Sequence, residues 1–214
     1  MFASREDAGR KVGEYLQGEG ITADLVLGLP RGGVVVAAGV ARVLQVPLDV
    51  LIVRKIGHPW HREFAVGALA EADVVVLDEV ARANNFMVQG QIQEIIEEER
   101  QRLKEYQARF HPGGDLDLAG KNLLLVDDGL ATGATTEAAA LAARKKGANR
   151  IVVAAPVGST NAIHCLENVA DEVRVLVADP QFEAVGRYYA TFSQTSDEEV
   201  LEWLKGQRQP IPND

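Results

Sequence analysis

Two adjacent carboxylates, Asp127 and Asp128, close an apolar run, Leu123–Val126, and Gly129, Ala131, Thr132, Gly133, Ala134 and Thr135 follow at once. Side chains on successive strand residues point to opposite faces, so the two acids converge only if the strand ends at them. Ionised carboxylates accept hydrogen bonds and donate none, which suits vicinal hydroxyls or the water shell of a Mg²⁺ ion. The small residues after them leave backbone N–H groups unobstructed, and Thr132 and Thr135 add hydroxyl donors. Amides of this kind at the start of a helix bind phosphate. Diol acceptors followed directly by a phosphate cradle describe a site for a ribose 5-phosphate group.

A second strand-to-helix turn reads Leu27-Gly-Leu-Pro-Arg-Gly-Gly33. Its glycines allow close backbone approach to a ligand, and Arg31 offers a planar fork of donors matched to phosphate. The stretch Arg54–Arg62, RKIGHPWHR, holds three basic residues and no acid. His58 and His61 lack a nearby third ligand, so a metal site there is disfavoured. Glu71, just beyond, reads either as a supporting acid or as a solvated surface residue.

These residues need elements to hold them. Short apolar, β-branched runs occur at Leu25–Leu29, Val50–Val53, Val74–Leu77, Leu123–Val126, Ile151–Ala154 and Val173–Val177. Consecutive apolar residues imply strands covered on both faces, as in a parallel sheet. Helical patterns lie between them at Arg5–Gln17, Val34–Leu44, Thr136–Lys146 and Asn161–Asn168, and Ser196–Lys205 opens with a capping box, Ser196 with Glu199. The alternation predicts an α/β fold with a doubly wound, mostly parallel sheet. Residues 84–111 read as a long charged helix inserted between strands, with a thin apolar stripe of Phe86, Ile92, Ile95, Ile96, Leu103 and Tyr106. Residues 179–214 form a C-terminal segment that carries this last helix, and the whole of 1–214 reads as one domain.

Composition narrows the function classes. The chain has 214 residues, 22 Lys plus Arg against 31 Asp plus Glu, and a net charge of −9, which argues against a nucleic-acid or anionic-membrane surface. The single cysteine, Cys165, rules out an intrachain disulfide framework and fits a reducing compartment. No secretory leader and no apolar run of membrane length is present, so the expectation is a cytoplasmic globule. Walker A, G-x-G-x-x-G and G-x-S-x-G signatures are also missing. One short basic loop in an acidic protein points to a small anionic ligand.

The segment Val126-Asp-Asp-Gly-Leu-Ala-Thr-Gly-Ala-Thr135 resembles the phosphoribosyl pyrophosphate (PRPP) motif of type I phosphoribosyltransferases, and the resemblance extends from about Leu25 to Val200. It implies Mg²⁺-dependent transfer of a ribose 5-phosphate group from PRPP to a nitrogenous base, with release of pyrophosphate. By the same resemblance Asp127 and Asp128 hold the ribose hydroxyls, with either one able to meet the PRPP-bound Mg²⁺, and Ala131–Thr135 hold the 5-phosphate. Arg31, Gly32, Arg54 and Lys55 fall on the pyrophosphate side, with a cis bond at Pro30–Arg31. The resemblance also makes the basic segment 54–62 a lid over the reacting centre, with Gly57 and Gly67 as its hinges. In the C-terminal hood it implies, Phe182, Val185 and Gly186 fall in the base pocket, which Tyr188 and Tyr189 either line or simply pack behind. A homodimer is a further implication, with the long helix as a candidate contact. The family's 6-oxopurine enzymes carry an acid where this chain has Ala131 and a hood lysine, whereas no lysine occurs between Lys146 and Lys205. The base therefore stays open. The alternative reading is a PRPP- or nucleotide-sensing regulator on the same fold.

Overall fold

The computed structural model describes residues 1–78, 81–82 and 86–207. Residues 84–85 of the expected insertion and 208–214 of the expected C-terminal segment lie outside them. Five parallel strands form the main sheet: β1 (Leu25–Gly28), β2 (Leu48–Val50), β6 (Asn122–Val126), β7 (Arg150–Ser159) and β8 (Glu172–Asp179), in the order β2-β1-β6-β7-β8. Helices α1 (Arg5–Gly18), α2 (Gly32–Leu44) and α6 (Asp197–Gln207) contribute to the core on one face. Helices α4 (Ala134–Lys145) and α5 (Thr160–Leu166) cover the other.

The strands show why continuous apolar runs were needed. In β6, Leu124 and Val126 enter the first core while Leu123 and Leu125 enter the second. The same alternation divides Val152 and Ala154 from Ile151, Val153 and Ala155 in β7. Residues 123–126 of β6 and 151–155 of β7 are buried on both faces of the sheet, and all of them are apolar. The capping box is realised at α6: Ser196 Oγ accepts the Glu199 N–H at 3.2 Å, and Glu199 Oε2 accepts the Ser196 N–H at 2.6 Å.

The middle of the chain departs from the expectation. Val50–Val53 is not one strand. The chain leaves the main sheet at Leu51–Ile52 and begins an antiparallel sheet of β3 (Val53–His58), β4 (His61–Ala70) and β5 (Val74–Leu77). The change of sheet is held by Glu71, whose Oε1 accepts the Ile52 N–H at 2.9 Å and whose Oε2 pairs with Lys146 Nζ at 2.8 Å. Glu71 is fully buried, which corrects the solvated reading of that residue. Arg54–Arg62 lies in the β3–β4 hairpin, with Arg54 opposite Leu69 and His58 opposite His61.

Helix α3 (Phe86–Phe110) follows β5. Its stripe is less thin in space than in sequence: Ile92, Ile95, Ile96, Leu103 and Phe110 are buried in the same core as α2 and β6. No helix among the described residues is long and apolar enough to cross a membrane.

Candidate active site

The sheet order fixes where a ligand can sit. From β1 the chain crosses over α2 to β2 on one side, while from β6 it crosses over α4 to β7 on the other. The carboxyl ends of β1 and β6 are therefore the switch point, where open α/β sheets bind ligands. Both motif loops leave from there. Gly32 and Gly33 touch the acids so closely that side chains are excluded: a Cβ on Gly32 would fall on Asp128 Oδ2, and one on Gly33 would stand 2.8 Å from Asp127 Oδ1.

The two carboxylates have different surroundings. Burial, and then the charge of Asp128, push the Asp127 carboxyl up to about 8; its bond from the Asp128 N–H, at 2.8 Å, and the charges of Lys55 and Arg5 oppose the shift. Both acids are half-buried, and Asp128 is ion-paired, its Oδ2 accepting from Arg5 Nε at 2.7 Å. Its backbone carbonyl accepts the Tyr189 hydroxyl at 2.6 Å. Burial and the nearby Asp128 charge raise the Tyr189 phenol.

Beyond the acids, the loop is pinned to the extended β7. Leu130 N–H donates to the Val157 carbonyl and Ser159 N–H to the Leu130 carbonyl, both at 2.9 Å, and the Ser159 hydroxyl donates to the Ala131 carbonyl at 2.7 Å. Gly133 then takes a left-handed φ of 83° and starts α4, whose first intrahelical bond runs from the Glu137 N–H to the Gly133 carbonyl. The amides of Ala134 and Thr135 precede that bond. The Thr132 hydroxyl, 3.5 Å from the Ala134 nitrogen, approaches them. Ala131–Thr135 thus lead into the first turn of α4, the position at which helix amides can hold phosphate.

On the facing side, the Pro30–Arg31 peptide is cis. Pro30, Arg31, Ile52, Val53, Arg54 and Tyr106 line one cleft, so Arg31 and Arg54 come together as expected. Neither is without acidic company. Arg54 Nε pairs with the buried Glu99 at 2.9 Å and its guanidinium lies 5.1 Å from the Tyr106 ring, while Arg31 Nη1 stands 3.8 Å from Asp197. Lys55 is exposed, and its charge acts on Asp127. At the hairpin tip Trp60 and Phe64 are exposed and Arg62 pairs with Glu98 at 3.0 Å.

Two carboxylates are a donor set for a Mg²⁺ ion that keeps most of its waters and its phosphate ligands. Among the described residues no group of three His, Cys, Asp or Glu side chains forms a protein-made cage, and a phosphate-borne Mg²⁺ requires none.

The hood closes the far end. Val185 packs against the loop after the acids, because a Cβ on Gly129 would meet its Cγ1 at 2.7 Å. Phe182 is half-buried and stacks on Tyr188, with centroids 5.4 Å apart and planes at 18°, and the Tyr188 hydroxyl donates to Asp179. One face of Phe182 is therefore already occupied. Sequence reading missed Arg5, which lies 123 residues from its partner Asp128 and sits in no motif. It also missed the bond from Tyr189 to Asp128, since both tyrosines read equally well as packing residues.

The chain is similar to known proteins along most of its length. The profile of a family described as "Phosphoribosyl transferase domain" matches residues 4–189. A Mycobacterium tuberculosis protein named "Putative phosphoribosyl transferase" is 44% identical over 209 residues, covering 95% of this chain and 46% of the relative. The chain thus spans about half the length of that relative. The crystal structure of TT1426 from Thermus thermophilus superposes with a TM-score of 0.77 at 40% identity, over 97% of this chain and 99% of that one. A Neisseria gonorrhoeae protein crystallised with ppGpp shares the fold, with a TM-score of 0.50 at 13% identity over 97% of both chains.

Proposed function

The chain belongs to the phosphoribosyl transferase domain family, and from that premise we propose that it transfers the ribose 5-phosphate group of PRPP to a nitrogenous base, releasing pyrophosphate. The observation that carries this reading is the meeting of the Gly32–Gly33 turn with Asp127 and Asp128 at the switch point between β1 and β6. Hydroxyl acceptors and helix-start amides follow β6, while Arg31, next to Gly32, and Arg54 line a cleft beyond the Gly32–Gly33 turn, and a diol flanked by two phosphate-bearing ends has that order of groups.

The roles follow from the chemistry. Asp127 and Asp128 accept hydrogen bonds from the ribose hydroxyls. The amides and hydroxyls of Ala131–Thr135 hold the 5-phosphate, which fixes the sugar at the end remote from the reacting carbon. Bond breaking at that carbon builds positive charge on the sugar and negative charge on the leaving group. Arg31 and Arg54 stabilise the departing pyrophosphate, Arg54 by sharing its guanidinium between Glu99 and the ligand. A bound Mg²⁺ supplies further neutralisation of the polyphosphate, with Asp127 or Asp128 as its protein contact. The protein needs no nucleophile of its own, because the base attacks. Phe182 and Val185 border the space for that base, and the hood keeps water from the reacting carbon.

The test is pyrophosphate release from PRPP and Mg²⁺ across a panel of bases. Base-dependent release that Asp128→Asn abolishes supports the reading. Tight PRPP binding without release for any base would instead establish a PRPP-sensing regulator.

A further inference from the structure

One ion pair in the site comes from a part of the chain that no motif reaches. Arg5, in the first turn of α1, donates Nε to Asp128 Oδ2 at 2.7 Å and Nη1 to the Ser193 carbonyl at 2.6 Å. Its guanidinium also lies 3.9 Å from the centroid of the Phe192 ring. The pair is sheltered, with the two side chains 11% and 16% exposed. Gly32 closes a further side, since a Cβ there would stand 2.7 Å from Arg5 Nε. A planar fork with donors in fixed directions is thus held between the phosphate-side turn, the acid and the hood.

The chain before Arg5 is fastened to the same hood. Phe2 N–H donates to the Tyr188 carbonyl at 2.7 Å, Ala190 N–H to the Phe2 carbonyl at 2.8 Å, and Thr191 N–H to the Ala3 carbonyl at 3.1 Å. The Tyr189 hydroxyl returns from the hood to the Asp128 backbone carbonyl. Asp128 is gripped at both ends, by Arg5 at the side chain and by Tyr189 at the main chain, and both grips lead to residues 188–193. Among the described residues only Oδ2 of the carboxylate is engaged, which leaves Oδ1 for a ligand hydroxyl.

We propose that Arg5 is a positioning residue of the ribose subsite, orienting the Asp128 carboxylate with Oδ1 available to the sugar and tying that orientation to the hood. The inference rests on the phosphoribosyl-transfer reading of the site. Arg5 acts through Asp128, so its effect falls on ligands that carry the diol and spares those that carry only phosphate.

Calorimetric titration of wild type, Arg5→Met and Arg5→Lys with inorganic phosphate and with ribose 5-phosphate separates these cases. Arg5→Met is expected to bind phosphate within about twofold of wild type and ribose 5-phosphate roughly tenfold more weakly, the scale of one charge-assisted hydrogen bond. Arg5→Lys keeps the charge without the fork and recovers only part of the loss. Equal loss for both ligands, or loss for neither, overturns the proposal. Hydrogen exchange at the Ala190 and Thr191 amides gives a readout that needs no ligand: it quickens in Arg5→Met and less in Arg5→Lys, and unchanged exchange overturns the tie to the hood. A wild-type protein that ignores ribose 5-phosphate defeats the functional reading, and the exchange result then decides the role of Arg5 alone. Should Arg5→Met not fold, Arg5→Gln takes its place in both measurements.

Discussion

The carboxyl ends of β1 and β6 hold the two acids and the β3–β4 hairpin holds Arg54 and Arg62, and the two regions are built on different principles. At the strand ends the two turns fit together by lacking side chains, with Gly32 and Gly33 set directly against Asp128 and Asp127. On the hairpin the charges are held by pairing with α3, Arg54 to Glu99 and Arg62 to Glu98. The first region specifies backbone positions to within a methyl group. The second specifies a balance of charge, which long side chains can meet from several positions. Substitutions should accordingly act through shape in one region and through uncompensated charge in the other.

The hairpin sheet depends most on Glu71, which holds the Ile52 N–H and the Lys146 ammonium from a fully buried position. Glu71→Gln keeps the shape and removes the counter-charge. Breaking one side of a buried pair costs about 3–5 kcal/mol. Urea unfolding at pH 7 should show a loss of that order, and a loss below about 1 kcal/mol would mean that Lys146 simply swings to solvent. Next in size is Gly32→Ala. The new methyl group falls on Asp128 Oδ2 and crowds Arg5, so the acid must move. A penalty of about 2–3 kcal/mol, typical of overpacking, corresponds to a loss of roughly thirty- to two-hundredfold in PRPP affinity measured by calorimetry.

The two acids allow the comparison to be sharpened within a single site. Asp127 binds its proton more tightly folded than unfolded, its carboxyl raised from 3.8 to about 8. The protonated form therefore favours the fold, with the contribution complete below about pH 4 and lost as pH rises through 8. Over the middle of that window one extra bound proton changes stability by about 1.4 kcal/mol per pH unit. Asp127→Asn removes the titration, so unfolding measured between pH 5 and 7 should depend less steeply on pH than in wild type. An equal slope would show that Asp127 is ionised throughout.

What could be read before the fold was known follows the same division. The strand ends were legible because parallel strands buried on both faces, a loop of small residues and the adjacent acids are all written within a few positions of one another. Leu123–Thr135 contains strand, acids, cradle and helix start in one line. The antiparallel sheet was not, because β4 has an exposed, charged outer half, HREFA, and a buried inner half, VGALA, so neither period nor polarity marks it as one strand. Arg5 was illegible for a stronger reason: its meaning lies in a contact across 123 residues. Glu71 belongs with it, since its partners Ile52 and Lys146 carry no local signal of pairing.

The smallest expected effect uses the same substitution as one of the larger ones. Gly90 sits on the exposed side of α3, and a Cβ there meets nothing within 4 Å. Glycine in a helix interior costs about 1 kcal/mol relative to alanine, mostly through the freedom it retains in the unfolded chain. Gly90→Ala should therefore raise stability, by about 0.5–1 kcal/mol in urea unfolding, and leave PRPP affinity as it was. Gly32→Ala gains the same entropic advantage and is still harmful, because its methyl group has no empty space to enter. A pair of alanines with opposite signs locates the constraint in the contact of the two turns with the acids rather than in glycine as such. If Gly90→Ala weakened PRPP binding, α3 would have to be counted as part of the site's shape, and charge pairing would no longer be its whole contribution.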